Sequence, residues 1–486
     1  MKEGNAKKTD AMSQVQKRVL AVVMLGTMMS AVDVTIVLLA IPDITKALHT
    51  NLAASIWIII AYLLVVAVLT TQLGKVGDIY GRGKMFNLGF LVFTAASALC
   101  GASFNIYMLI GFRVLQGVGG SLMQANSGAI IADTFERHQR GKAFGFTSLG
   151  FNIGAMLGIV LGGVLTTFAG WPYIFYINVP IGLAAMYFGF KYIKTSSRRQ
   201  EHLDLPGMAA LAGALLLITL GVISMAVIGV SSYYILMILA GVAIIPVFIV
   251  IERRSHFPTI NFGMLKNRIL ANSIGAAFMQ SLGYLAIAFI IIMYLQGVRG
   301  LSPFDAALLL IPGYVLSGIA APYMGRLSDR FGSRVIATIG MLLILSAVLF
   351  YYLVLTPTAP YYIIILATVM SGIGASMFYP SNSSAVMANA SGDEYGAASG
   401  LLRTMSNIGT LGSFVIALTV AALAISRSVA FQIFLGTTDL TGHIDAAFVN
   451  GMHAVFIVSA GILMVGAILS VLRGKENRQT HAIQGA

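Results

Sequence analysis

The sequence predicts an all-α polytopic membrane protein with fourteen transmembrane helices, arranged as six, two and six. Three observations carry that expectation. Charged residues make up 10% of the chain and hydrophobic ones 58%, with a mean hydropathy of +0.88. Soluble domains hold about 25% charged residues, so a soluble globule of this composition could not cover its surface. Runs of about 20 apolar residues, each able to cross a hydrocarbon core roughly 30 Å thick, recur along the whole chain. A basic loop with the pattern G-x-x-x-D-x-x-G also occurs twice, after the second run and after the tenth.

The first helix is expected over 19–41. It follows the polar, Lys-rich stretch Met1–Arg18 and is too long for a signal-peptide core, so it reads as retained. Helices two to six follow at 56–74, 85–104, 106–132, 143–168 and 172–193. Two polar, basic loops, Thr195–Leu205 and Glu252–Arg268, bracket a pair of helices at 206–227 and 232–251. That pair has almost no polar content and reads as a lipid-facing insertion. The last six are expected at 270–296, 303–324, 335–355, 361–388, 396–424 and 448–472. The division is thus 1–194, 195–268 and 269–486, a six-helix bundle on each side of a two-helix insertion. Parallel repeats of this kind are a transporter architecture with a substrate site at their interface.

A net charge of +13 could suggest nucleic acid. The basic residues instead fall in short loops on one side, and only Lys46, Arg299 and Arg427 lie on the other. The positive-inside rule then makes both termini cytoplasmic in a multi-pass protein of the cell (plasma) membrane, with no nucleic-acid partner. The single cysteine, Cys100, excludes an intrachain disulfide and a multi-Cys metal site. No Walker loop, nucleophile elbow or paired His–Glu helix is present, so no enzyme activity, cofactor or metal is expected. The energy source would be an ion gradient or the substrate's own. The 427–450 outer segment, with Phe431, Phe434, Asp439, His443 and Asp445, reads as a connector or a lid.

Asp33 stands out because the run from Val19 to Ile41 holds no other ionisable group. Placing a carboxylate there costs about 2.5–3.5 kcal/mol on insertion scales, so such residues face a cavity or a partner. Arg113 is the other buried charge of the first half. At 1.5 Å per residue, Asp33 lies about 13 Å below Pro42 and Arg113 about 10 Å below Ile106, which is a similar depth. Helix five carries Gly150, Gly154, Gly158 and Gly162 four apart, with Gly163 beside the last. Residues so spaced share one face and form a smooth groove for close helix contact.

Taken with Arg113-x-x-Gln116-Gly117-x-Gly119-Gly120, the Trp171–Gly182 stretch and Tyr294–Pro303, these motifs resemble the major facilitator superfamily over nearly the whole chain. Within it, the sequence is most similar to the fourteen-span drug:proton antiporters of the EmrB/QacA type. The resemblance implies alternating access and proton-coupled efflux of lipophilic or cationic compounds. The chain departs from that family's patterns at Leu38, Ile79 and Ile159. The resemblance sets helices one and four side by side along a central cavity, which with their matched depth makes Asp33 and Arg113 the expected proton-coupling pair. It makes Gly74, Asp78, Gly81, Arg82, Lys84 and Asp133, with Gly325, Asp329, Arg330, Gly332 and Arg334, a cytoplasmic latch whose Asp78 faces the start of helix thirteen. It places the helix-five glycines between the halves. It implies a cavity lined by Thr35, Tyr62, Gln116, Gln124, Asn126, Tyr284, Tyr294, Gln296, Tyr379, Asn382, Arg403 and Asn407. Protons, a small-molecule substrate and the bilayer are the expected partners of a monomer. An exporter or facilitator of an endogenous lipid or metabolite is the alternative, and a non-transporting receptor or scaffold a more distant one.

Overall fold

The computed structural model describes residues 12–193, 204–228, 231–255, 262–390, 395–424 and 444–474. Among these, fourteen helices are long and apolar enough to cross a membrane. They are α1 (Gln14–Ala47), α2 (Leu52–Tyr80), α3 (Arg82–Gly101), α4 (Ile106–Thr134) and α5 (Arg137–Phe168). Then come α6 (Tyr173–Tyr192), whose first turn is set off at Ile177, α7 (Leu205–Ile228) and α8 (Ser232–Arg254). The last six are α9 (Arg268–Met293), α10 (Pro303–Phe331), α11 (Ser333–Val354), α12 (Tyr361–Ala388), α13 (Tyr395–Ala424) and α14 (Ile444–Leu472). The chain is thus a multi-pass, all-helical membrane protein.

Local chemistry sets the helix starts. A reciprocal Ser13–Gln16 capping box opens α1, and Asn51 and Asn105 cap α2 and α4 through their side-chain oxygens. Ser302 caps α10, with Pro303 in the first helical position. Some elements outrun their apolar cores. The first helix continues past Pro42 to Ala47, and α14 begins at Ile444 rather than 448. Most of the 427–450 outer segment, including His443, lies outside the described residues, as do 194–203 and 256–261 of the basic loops.

The packing repeats. Helix α1 lies on α5, α2 and α3 on α4, and α6 on α1 and α3. In the same order α9 lies on α13, α10 and α11 on α12, and α14 on α9 and α11. Two helix pairs join the sets reciprocally, α5 with α10 and α2 with α13. The paired basic loops carry the same backbone signature: Gly81 has φ +104° and Gly332 φ +97°, each ending one helix and starting the next. Side chains rarely adopt that conformation, so Gly81→Ala is expected to cost about 1–3 kcal/mol of stability. A thermal-unfolding shift in detergent, with a similar one for Gly332→Ala, checks it.

The inserted pair differs from the lipid-facing expectation. Helix α8 is largely exposed, but α7 packs on both α2 and α13 and so lies along one of the two seams. Leu211 of α7 and Phe248 of α8 join a buried cluster with Leu270, Ile274, Val386 and Leu401 of the last six. Hydropathy alone could not show this, because lipid and a helix neighbour are equally apolar surroundings.

Candidate functional site

The most buried charges among the described membrane residues meet. Asp33 on α1 is 0% exposed and Arg113 on α4 is 1% exposed. Arg113 Nη1 donates to Asp33 Oδ2 at 2.6 Å and to Gln116 Oε1 at 2.7 Å. Arg113 Nε donates to the Ile58 carbonyl at 2.9 Å. Gln116, one turn along α4, donates through Nε2 to Asp33 Oδ1 at 2.8 Å and to Ser97 Oγ at 2.7 Å. Both carboxylate oxygens are therefore occupied. The Tyr62 ring lies 4.4 Å from the guanidinium carbon and Phe175 lies 5.9 Å from it, which adds cation–π attraction on an already desolvated cation. Charges taken this far from water persist only with such geometry and complete hydrogen bonding. Loss of one proton partner here would unbalance the whole group.

The remaining expected cavity residues divide into two groups. Four tie helices together. Thr35 donates to the Ala155 carbonyl of α5 at 3.1 Å, and Asn126 to the Leu122 and Leu73 carbonyls of α4 and α2. Asn382 donates to the Ser273 carbonyl at 3.0 Å, and the Tyr294 hydroxyl to the Thr356 carbonyl at 2.8 Å. Others lie between the two helix sets or in the last six. Asn407 Nδ2 is 3.4 Å from Gln124 Oε1, and Thr71 and Thr404 share a 2.5 Å hydroxyl contact nearby. On the far side Gln296 Nε2 donates to the Leu39 carbonyl at 3.1 Å, and the Phe304 amide donates to Thr167 Oγ1 at 3.1 Å. The two sets therefore touch at both ends. In the last six, the Tyr379 hydroxyl donates to Gln280 Oε1 at 2.8 Å, with Tyr284 and Tyr314 beside it.

The helix-five glycines do not all lie where the resemblance puts them. A Cβ on Gly154 would come 2.5 Å from the Met28 carbonyl oxygen, and one on Gly158 1.9 Å from Thr35 Oγ1. Gly150 and Gly162 likewise face Met24 and Ile36. These four pack on α1, inside the first six helices. Only Gly163 of the five meets the other set, where a Cβ would come 2.7 Å from the Ala307 Cβ. Spacing identifies a face but not the neighbour it meets.

The loop residues also pair differently. Arg82 Nε donates to Asp78 Oδ1 at 2.5 Å, and its Nη1 to Asp133 Oδ1 at 2.7 Å, so the three form one cluster within the first six helices. Among the described residues Asp78 makes no hydrogen bond to α13. Lys84 is exposed, Arg330 is exposed beside the Phe331 ring, and the Asp329 side chain lies outside the described residues. Arg334 gives its carbonyl to Thr338. A Cβ on Gly74 would make only ordinary contact with Ala125, at 3.8 Å, and one on Gly325 would stand in open space. The tight contact is at Gly77, where a Cβ would lie 1.7 Å from Asn126 Oδ1. Ser97, Gly77 and Gln280 escaped the sequence reading. Each is an ordinary residue type within its helix, with no periodic or ionic signal to mark it.

A model described as Major Facilitator Superfamily matches residues 23–413 and, separately, 273–485. The chain is 29% identical over 463 residues to the riboflavin transporter RibZ of Clostridioides difficile, covering 93% of this chain and 96% of that protein. It is 30% identical over 407 residues to the tetracenomycin C resistance and export protein of Streptomyces glaucescens, covering 83% and 76%. A crystal structure of a bacterial homologue of the human lysosomal transporter Spinster, inward-facing and unoccupied, superimposes with a TM-score of 0.65 at 15% identity, over 95% and 98% of the two chains. That last likeness shows the fold. With a superfamily model spanning most of its length, repeated helix packing and a charged pair sealed in the membrane, the chain belongs to the major facilitator superfamily of membrane transporters.

Proposed function

We propose that this chain is a proton-coupled exporter of lipophilic compounds, of the fourteen-span drug:proton antiporter type, working by alternating access between two six-helix bundles with its basic loops and termini cytoplasmic. The single observation that carries this reading is the sealed Asp33–Arg113–Gln116 group. An ion pair without water is bistable: protonating Asp33 removes the attraction that holds Arg113, and the released guanidinium must find other partners. Rocking that opens the pair to one side and then the other would load and discharge a proton. The names of several relatives, including the tetracenomycin C export protein, favour a toxic compound as cargo.

A metabolite carrier is the second reading, favoured by the similarity to a riboflavin transporter over nearly the full length of both chains. Proteoliposomes carrying an internal pH dye decide between coupling and its absence. Addition of a transported compound is expected to move protons the opposite way, and an imposed pH gradient to drive accumulation. Flux that ignores the gradient and leaves the dye unchanged would overturn the antiport reading. Tetracenomycin C and riboflavin, tested side by side, separate the two cargo classes.

A further inference from the structure

Charge inside the helix bundle points away from cationic cargo. Setting aside the first and last two turns of each spanning helix, the acidic and basic side chains among the described residues are Asp33, Arg113, Arg403 and His453. His453 holds the Leu355 carbonyl at 2.8 Å within the last six helices. Asp33 has both oxygens taken by Arg113 and Gln116. No carboxylate there is left to receive a cation. Two arginines face one acid, so the interior carries a formal excess of positive charge.

Arg403 is the uncompensated member. It is partly buried on α13 and makes no hydrogen bond or ion pair among the described residues. Its position is on the seam between the helix sets. Arg403 shares a face with Asn407, which reaches Gln124 of α4, and its neighbour Thr404 meets Thr71 of α2. A guanidinium held there without a counter-ion attracts a carboxylate, sulfonate or phosphate through charge-assisted, bidentate hydrogen bonds. One helical turn further in, about 6 Å, lies an aromatic wall. Gln280 and Asn407 are each twelve residues from the start of their helices, so they share a level. At that level Tyr379, Tyr284 and Tyr314 gather around Gln280, whose Nε2 is buried without a hydrogen-bond partner. Neighbouring tyrosines and a spare amide donor suit a flat ring system bearing acceptors.

We propose that Arg403 reads an anionic group on the substrate, and that the chain prefers planar aromatic anions to cations of the same shape. This rests on the transport reading above and names its substrate class. The test uses purified full-length protein and two dyes built on one xanthene ring system, anionic carboxyfluorescein and cationic tetramethylrhodamine methyl ester. Fluorescence polarisation is expected to show at least about tenfold tighter binding of the anion, the equivalent of one charge-assisted contact. Arg403→Gln is expected to erase that preference and Arg403→Lys to keep part of it, through charge without the bidentate geometry. Tighter or equal binding of the cation by the unaltered protein overturns the proposal, as does failure of carboxyfluorescein to bind. So does Arg403→Gln weakening both dyes alike. Proteoliposome flux read in parallel keeps the two claims apart, since loss of proton coupling with the anion preference intact fails only the antiport reading.

Discussion

Asp33→Asn is expected to reduce pH-gradient-driven accumulation to the level of empty liposomes while leaving substrate exchange at equal pH. Asparagine retains an oxygen that can accept from Arg113 but cannot bind and release a proton in the relevant range. The geometry makes the prediction sharp, because Asp33 receives Arg113 on one oxygen and Gln116 on the other. Full gradient-driven flux of a neutral substrate by Asp33→Asn would sink the coupling role. Asp33→Ala carries a second cost. It leaves a guanidinium that is 1% exposed without its counter-ion, and breaking a buried pair from one side costs about 3–5 kcal/mol. Asp33→Leu combined with Arg113→Met is expected to recover most of that stability, since apolar replacements of both partners are often neutral, yet to remain uncoupled. Thermal unfolding in detergent beside the flux assay reads both effects.

Gly158→Val is the other large effect expected. The added Cβ would meet Thr35 Oγ1 at 1.9 Å and the Val32 carbonyl oxygen at 2.7 Å. The hydroxyl could turn away, but the carbonyl belongs to the α1 backbone and cannot. The α1–α5 contact must open, and overpacking of this kind costs about 1–3 kcal/mol, more where backbone is the obstacle. Gly145→Val on the same helix has nothing within 4 Å and serves as the control. Unfolding temperature and the monodisperse fraction on size exclusion are the measurements. Equal stability of the two variants would mean that α5 does not need its close seat on α1.

The sequence made some of this legible and concealed the rest for identifiable reasons. The Asp33–Arg113 meeting could be anticipated because rise per residue is nearly constant, so two charges on antiparallel helices can be compared for depth from their helix ends. The fourteen spans followed from hydropathy in the same one-dimensional way. Azimuth was harder. Thr35, Asn126 and Asn382 are polar and membrane-embedded, as cavity residues are, yet each bonds a backbone carbonyl. A small amide or hydroxyl serves either purpose equally well. The glycine ladder failed for a related reason, since its four-residue spacing is satisfied by α1 as well as by a helix of the other set. The seat of α7 against α2 and α13 had no sequence signal at all.

The seal at the outer end has a genetic consequence. Pro42 lies within α1 and supplies no amide, and its ring disturbs the preceding turn. It is there that Gln296 takes hold of the Leu39 main-chain oxygen. Every residue type presents that oxygen, so substitutions at 39 leave the bond's chemistry unchanged. A screen for leaky variants would therefore score polar loss at position 296, and at position 39 only changes that the buried core cannot hold. Comparison of sequence variation at the two sites would show position 296 held to side chains that can donate, and position 39 held only to apolar types that fill its fully buried place in the core.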